Sequence, residues 1–295
     1  MSKALPIGGA LFVHTLRSSG FAAVIAGGAL LILSLAGITA FGLGREFIMI
    51  REASFGTLYL TAFLASILSC LSASELKTQS WLGESAARGA SCASRAHGFI
   101  LSSVLAGLWS GFALFPFLVS SISLFHGFVA TSLISLGLGI ASMGFSLLGN
   151  RSSLPVPFSL AVPASASAIC FGLFASVPGF GDAPFIAVFT VVSLVLSCSI
   201  SGLLMFLLPG PSGAAVSALV FVVCNMRDSL LGSGFGSPIF GILPDLSGLN
   251  PSRLASSPVA LDLSACLGAS VYVFVSTAAL LWLAYAFAAM KETPN

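Results

Sequence analysis

An all-α, polytopic membrane helix bundle is the fold this sequence predicts, and three observations predict it. Of its 295 residues 57% are hydrophobic and only 7% charged, against roughly a quarter charged in soluble domains. The mean hydropathy is +1.08. The apolar residues fall in runs of about 20 or more, the length a helix needs to cross a bilayer. They lack the strict alternation of a membrane β-barrel. Backbone groups in lipid must be bonded within their own segment, so helix is the default.

The elements follow in chain order. "ALPIGGALFVHTLRSSG", Ala4 to Gly20, is moderately apolar and carries His14, Arg17 and Ser18 towards its end. It is too short and mixed to span, and reads as an N-terminal interfacial helix along the membrane surface. About eight transmembrane helices follow, near 20–43, 55–74, 98–121, 127–149, 157–178, 184–208, 212–232 and 262–289. The first run is too long for a cleaved signal and reads as a retained span. The fifth span contains Pro163, and the seventh reaches Asn225, Arg227 and Asp228, where it stops early or re-enters the membrane. The span count is therefore six to eight. "LPGPSG", Leu208 to Gly213, marks a tight turn between neighbouring helices. Residues 233–260, rich in Gly, Ser and Pro, read as an external loop holding short helices. The whole chain, 1–295, is one transmembrane domain.

Charge placement orients the chain. With the N-terminus in the cytoplasm, Lys3, Arg17, Lys77, Arg88, Arg95, Arg151 and Lys291 lie inside, while Arg45, Arg51, Arg227 and Arg253 lie outside. That asymmetry has the sense of the positive-inside rule. An even span count then puts both termini in the cytoplasm, as expected for a multi-pass protein of a cell (inner) membrane.

Several function classes are excluded. Eleven Lys and Arg spread along the chain make no basic face for nucleic acid. Lys3, Lys77 and Lys291 are the only lysines and none follows a glycine, so there is no P-loop. The six cysteines form no C-x-x-C pair and read as small buried hydrophobes. His14, His97 and His126 have no metal-ligand spacing. Neither a metal site nor a cofactor site is expected, and no catalytic residue either. The serines around His126, "SSISLFHG", read as helix-packing residues. An ion-coupled secondary carrier needs intramembrane acids. Its nearest candidates, Asp182, Asp228 and Asp262, stand at span ends. Gly, Ala and Ser recur at three- and four-residue separations in Ala26–Gly37, Ser135–Gly144 and Ala164–Gly172, letting helices approach closely.

One polar island interrupts the apolar chain. Between Glu75 and His97 lie Glu75, Lys77, Glu84, Arg88 and Arg95, five of the twenty charged residues. Its middle, "LKTQSWLGESAARG", favours a short helix with Leu76, Trp81 and Leu82 as apolar contacts. Two readings stand: a docking element for a soluble partner, or a solvated loop whose basic residues set topology.

The pattern resembles the permease subunit of exporter-class ABC transporters, and within it the copper-processing or multi-copper-enzyme-maturation branch. There the second span ends at an acidic residue, here Glu75, and a coupling helix precedes a P-V-S-R-like run and a glycine. This chain has "CASRAHGF", with Ser94, Arg95 and Gly98 in the matching places and without the proline or the lysine after the glycine. "ILPDLSGLNPSR", Ile242 to Arg253, resembles the family's L-P-n-l-x-x-f-N stretch. The family commonly has six spans, and the excess here falls at about 127–178.

The resemblance implies an ATP-driven permease subunit that couples hydrolysis by a separate ABC ATP-binding subunit to substrate export or force transmission. It implies that residues 75–97 form a cytoplasmic coupling loop, with Glu75, Lys77, Trp81, Glu84, Arg88, Ser94 and Arg95 docking the ATPase. It also implies a homodimer or heterodimer of permeases and, for some members, a periplasmic partner. The alternatives are a non-ABC membrane scaffold or assembly subunit, and a secondary carrier.

Overall fold

The computed structural model describes residues 4–38, 46–78, 91–149, 156–175, 183–208, 210–232, 243–256 and 261–292. Among them there are eleven helices and no strand. They are α1 (Ala4–Leu16), α2 (Ser19–Ile38), α3 (Glu46–Thr78), α4 (Cys92–Phe125), α5 (Val129–Gly149) and α6 (Val156–Ala175). After these come α7 (Ala183–Leu207), α8 (Pro211–Asn225), α9 (Arg227–Gly232), α10 (Pro251–Ser256) and α11 (Leu263–Glu292). Seven of them, α2 to α7 and α11, are long and apolar enough to cross a membrane. The chain is a multi-pass membrane protein built as a helix bundle.

The predicted span at 212–232 takes a different form. It is a 15-residue helix, α8, which ends at Met226 and is followed by the six-residue α9. Asn225 and Arg227 flank the break, and the Asn225 amide donates back to Phe221 O at 2.9 Å. The turn before α8 is the expected one: Gly210 takes a positive φ of 82° and Pro211 opens the helix. There the missing proline N–H costs nothing.

Helix α4 organises the bundle. It packs against α1, α2, α3, α5, α6, α7 and α11. Its start is set by Ser91, whose hydroxyl accepts from Ser94 N–H at 3.1 Å. Its end is a Schellman turn: Gly127, at φ 77°, donates to Leu124 O, and Phe128 N–H donates to Ser123 O. A charge-poor helix in lipid has few strong bonds to offer its neighbours, so small hydroxyls and close packing hold it. Ser102 Oγ lies 2.8 Å from Ser69 Oγ of α3, itself 3.0 Å from Thr15 Oγ1 of α1. Ser103 donates to Cys198 O of α7 at 2.8 Å, and Ser121 to Ile32 O of α2 at 2.8 Å. Ser120 pairs with Ser132 of α5 at 3.0 Å, and the His97 ring meets Leu281 O of α11 at 3.1 Å.

These contacts set helix direction. Gly98 of α4 faces Ile7 of α1, and Cys70, Phe99 and Met205 share one cluster with α1. Ala284 of α11 packs beside Ala96. So α1, the end of α3, the start of α4, the end of α7 and the C-terminal half of α11 lie at one end. The break after α8, α9, α10 and the start of α11 lie at the other. There Asn250 Nδ2 donates to Asn225 Oδ1 at 3.0 Å, and Ser252 donates to Glu52 O of α3 at 3.0 Å. The first and last helices thus meet at the same end. Helix α8 runs from one end toward the other, and α9 follows at the far end. The expected interfacial helix, α1, buries Ile7, Leu11, Phe12 and Leu16 against this end of the bundle.

Candidate functional site

Four of the docking residues expected from sequence, Glu75, Lys77, Ser94 and Arg95, lie at the α1 end. Glu75 and Lys77 fall in the last turns of α3. Trp81, Glu84 and Arg88 lie outside the described residues. Ser94 is 7% exposed, and its hydroxyl sits 3.0 Å from Ser91 Oγ within the start of α4. Arg95 follows on the next position, half-buried, with its Nε enclosed by the bundle. Ser94 and Arg95 therefore belong to the root of α4, where the polar segment joins the bundle.

Two of the acids considered for ion coupling, Asp228 and Asp262, are engaged at helix ends. Asp262 caps α11: Ala265 N–H donates to it at 2.8 Å and Ser264 Oγ at 2.9 Å. Those bonds hold its carboxyl below the usual carboxylate range. Asp228 lies 3.7 Å from Arg253. Asp245 accepts from Ser247 N–H and Oγ in a tight turn and faces Arg227 at 4.0 Å. Asp182 lies outside the described residues. All six cysteines are buried and none is in a disulfide, as expected of small core hydrophobes.

The site that sequence reasoning missed lies at mid-bundle. Helices α3, α4, α6 and α7 line a partly open cavity of about 270 Å³. Its walls are Leu58, Phe112, Phe115, Phe171, Val191 and Leu194 with small residues between them, among them Gly111, Ala164, Ala168 and Ala187. Ala168 is exposed at the rim and Leu194 is buried at the back.

Two prolines explain how α6 is held beside it. Pro116 lies inside α4 and Pro163 inside α6. A helix-interior proline has no N–H to donate to the carbonyl four residues earlier, so Phe112 O and Ser159 O lose their partners. Each is satisfied from the other helix. Ser167 of α6 donates to Phe112 O of α4. Trp109 Nε1 of α4 donates to Ser159 O of α6 at 3.0 Å. Trp109 is fully buried, with Phe21 of α2 at 5.4 Å between ring centroids. This reciprocal clasp fixes α6 on α4. It is the means by which membrane helices tolerate proline: a neighbour replaces the lost bond.

Helix α7 is held by another stretch of α4. A Cβ on Gly202 would come within 2.7 Å of Ile100 Cα, so the backbones touch there, and one on Gly107 would meet the Cys198 side chain. At the level of Phe112 and Ala187 the two helices separate, and the cavity fills the gap. Helices α6 and α7 touch each other only sparsely. The signal in the sequence was the pair of prolines, with Trp109 and Ser167 as bond donors. Nothing in one sequence links positions about 50 residues apart.

No family model, no curated protein and no solved structure matches this chain.

Proposed function

We propose that this chain is the membrane-spanning permease subunit of an ATP-driven transporter of the exporter class. A separate ATPase subunit hydrolyses ATP, and the chain turns the resulting movement into substrate export or into force passed across the membrane. One observation carries the reading. The two helices that flank the polar segment, α3 and α4, have 33 and 34 residues, and both are largely buried. Helix α4 bonds to six other helices. A push on residues 79–90 reaches the whole bundle through it. The motif resemblance around Glu75 and "CASRAHGF" supplies the class of partner. Two permeases would pair with two ATPases, and the polar cluster around Asn225, Arg227, Asp245 and Asn250 offers a surface for a periplasmic partner.

Copurification with an ATPase encoded beside this gene tests the reading. Reversing charge in the polar segment, with Glu84→Lys and Arg88→Glu together, is expected to lower ATPase capture and its stimulated turnover. Capture that stays undiminished when residues 79–90 are scrambled would overturn the coupling role. A secondary carrier draws less support, because Asp228 and Asp262 already serve helix ends.

A further inference from the structure

The cavity between α3, α4, α6 and α7 has a chemistry that selects its occupant. Two hydroxyls stand on its wall, Ser167 and Thr190. Each gives its proton to a backbone carbonyl, Ser167 to Phe112 O and Thr190 to Ile186 O. A buried water needs two to four polar partners, and an apolar cavity of about 150 Å³ stays dry and takes benzene. This cavity is larger, at about 270 Å³, and no hydrogen-bond donor is free on its wall. It therefore calls for hydrocarbon.

Depth narrows the source. Along α7 the lining runs from Ala187 to Leu194, about 6 to 16 Å from the helix start at about 1.5 Å per residue. Along α6 it runs from Ala164 to Phe171, at a similar distance from the other end of that helix. One leaflet occupies half of a hydrocarbon core roughly 30 Å thick. The cavity thus sits at the depth of the acyl chains, and its rim carries the small, exposed Ala168.

We propose that this cavity is a binding site for one acyl chain of a membrane phospholipid, inserted between α6 and α7 and resting against Phe112, Phe171 and Leu194. The α5–α6 hairpin creates the site, because α6 supplies one wall and the clasp holds it off α7. The proposal is independent of any ATPase partner.

Photolabelling tests it. The full chain is placed in phosphatidylethanolamine vesicles doped with a phospholipid that carries a diazirine midway along one acyl chain. Adducts are mapped by peptide mass spectrometry. Labelling per residue at Phe112, Ala168, Phe171 and Val191 is expected to exceed that at Phe274 and Val275 of α11, which are exposed on the bundle exterior. The expected excess is roughly tenfold, the ratio set by about 1.4 kcal/mol of preference. Ala168→Phe, which blocks the rim, is expected to abolish the excess and leave α11 labelling unchanged. Equal labelling of the two regions, or an excess that survives Ala168→Phe, would overturn the site. Labelling by a free diazirine fatty acid alone would overturn the phospholipid as occupant. If Ala168→Phe does not fold, native mass spectrometry of the unaltered chain decides: one retained phospholipid is expected, and none would refute the proposal.

Discussion

Helices α4 and α7 meet in two ways along one pair of axes. From Ile100 to Gly107 they pack closely, with Gly202 against Ile100 Cα, Gly107 against the Cys198 side chain and the Ser103 hydroxyl on Cys198 O. From Leu108 to Phe115 they part, and a cavity of about 270 Å³ lies between them and α6. Both stretches are apolar and contain small residues. What differs is where the hydroxyls point and what meets the glycines. In the closed stretch Gly202 meets the backbone of α4 and a hydroxyl bridges the helices, whereas Gly111 in the open stretch meets only the tip of the Leu194 side chain. In the open stretch, Thr190 bonds within its own helix, and Ser167 bonds α6 to α4 rather than to α7. Small residues permit close approach without enforcing it.

The largest effect is expected where the clasp borders the cavity. Trp109 is fully buried, so Trp109→Ala should cost about 3–5 kcal/mol. Phe171→Ala, on a wall that already faces open space, should cost clearly less. Denaturant unfolding in detergent, followed by circular dichroism, compares the two. Trp109→Phe isolates the clasp: it keeps most of the ring volume and leaves Ser159 O without its donor, a loss of about 1–3 kcal/mol. Pro163→Ala restores the helical N–H beneath that carbonyl. The double variant should therefore be less impaired than Trp109→Phe alone. Additive losses would mean that the bond to Ser159 does not replace the one proline removes.

Next in size is the contact of backbones. Gly202→Ala places a methyl within 2.7 Å of Ile100 Cα, where only backbone can yield. Overpacking of this kind costs about 1–3 kcal/mol. Ala168→Phe adds far more volume at the rim of the open stretch and should leave stability nearly unchanged. Equal destabilisation by the two would erase the distinction between closed and open stretches.

Much of this architecture was legible in the sequence. Apolar runs of about 20 residues must cross the membrane as helices, whatever they later touch. Seven of the runs form helices long and apolar enough to cross it. A short helix before the first span was legible too, because Ala4–Gly20 is moderately apolar yet too short to cross. The span at 212–232 was less so: its hydropathy looks continuous, but Asn225 bonds its own helix and the distant Asn250, and the helix ends there. Helix α4 starts before its expected span because Ser91 caps it several residues before its apolar run begins. The cavity was not legible. Its alanines and phenylalanines have the composition of any lipid-facing surface. Only the pairing of Phe112 with Ser167, and of Ser159 with Trp109, distinguishes them.

The smallest expected effect is the most discriminating about hydroxyls. Ser103 donates from α4 to a carbonyl of α7, whereas Thr190 donates to its own helix. Hydrogen bonds between membrane helices average about 0.6 kcal/mol and reach about 1.7. Ser103→Ala should lose an amount in that range, because the bond it removes joins two helices. Thr190→Val removes a bond within a single helix, whose backbone ladder already fixes the two residues, and should be close to neutral. Thermal unfolding of the two variants in one detergent measures the difference. If Thr190→Val proved the more costly, the open stretch would depend on its hydroxyls as the closed stretch does, and the cavity would be polar in function though apolar in its walls.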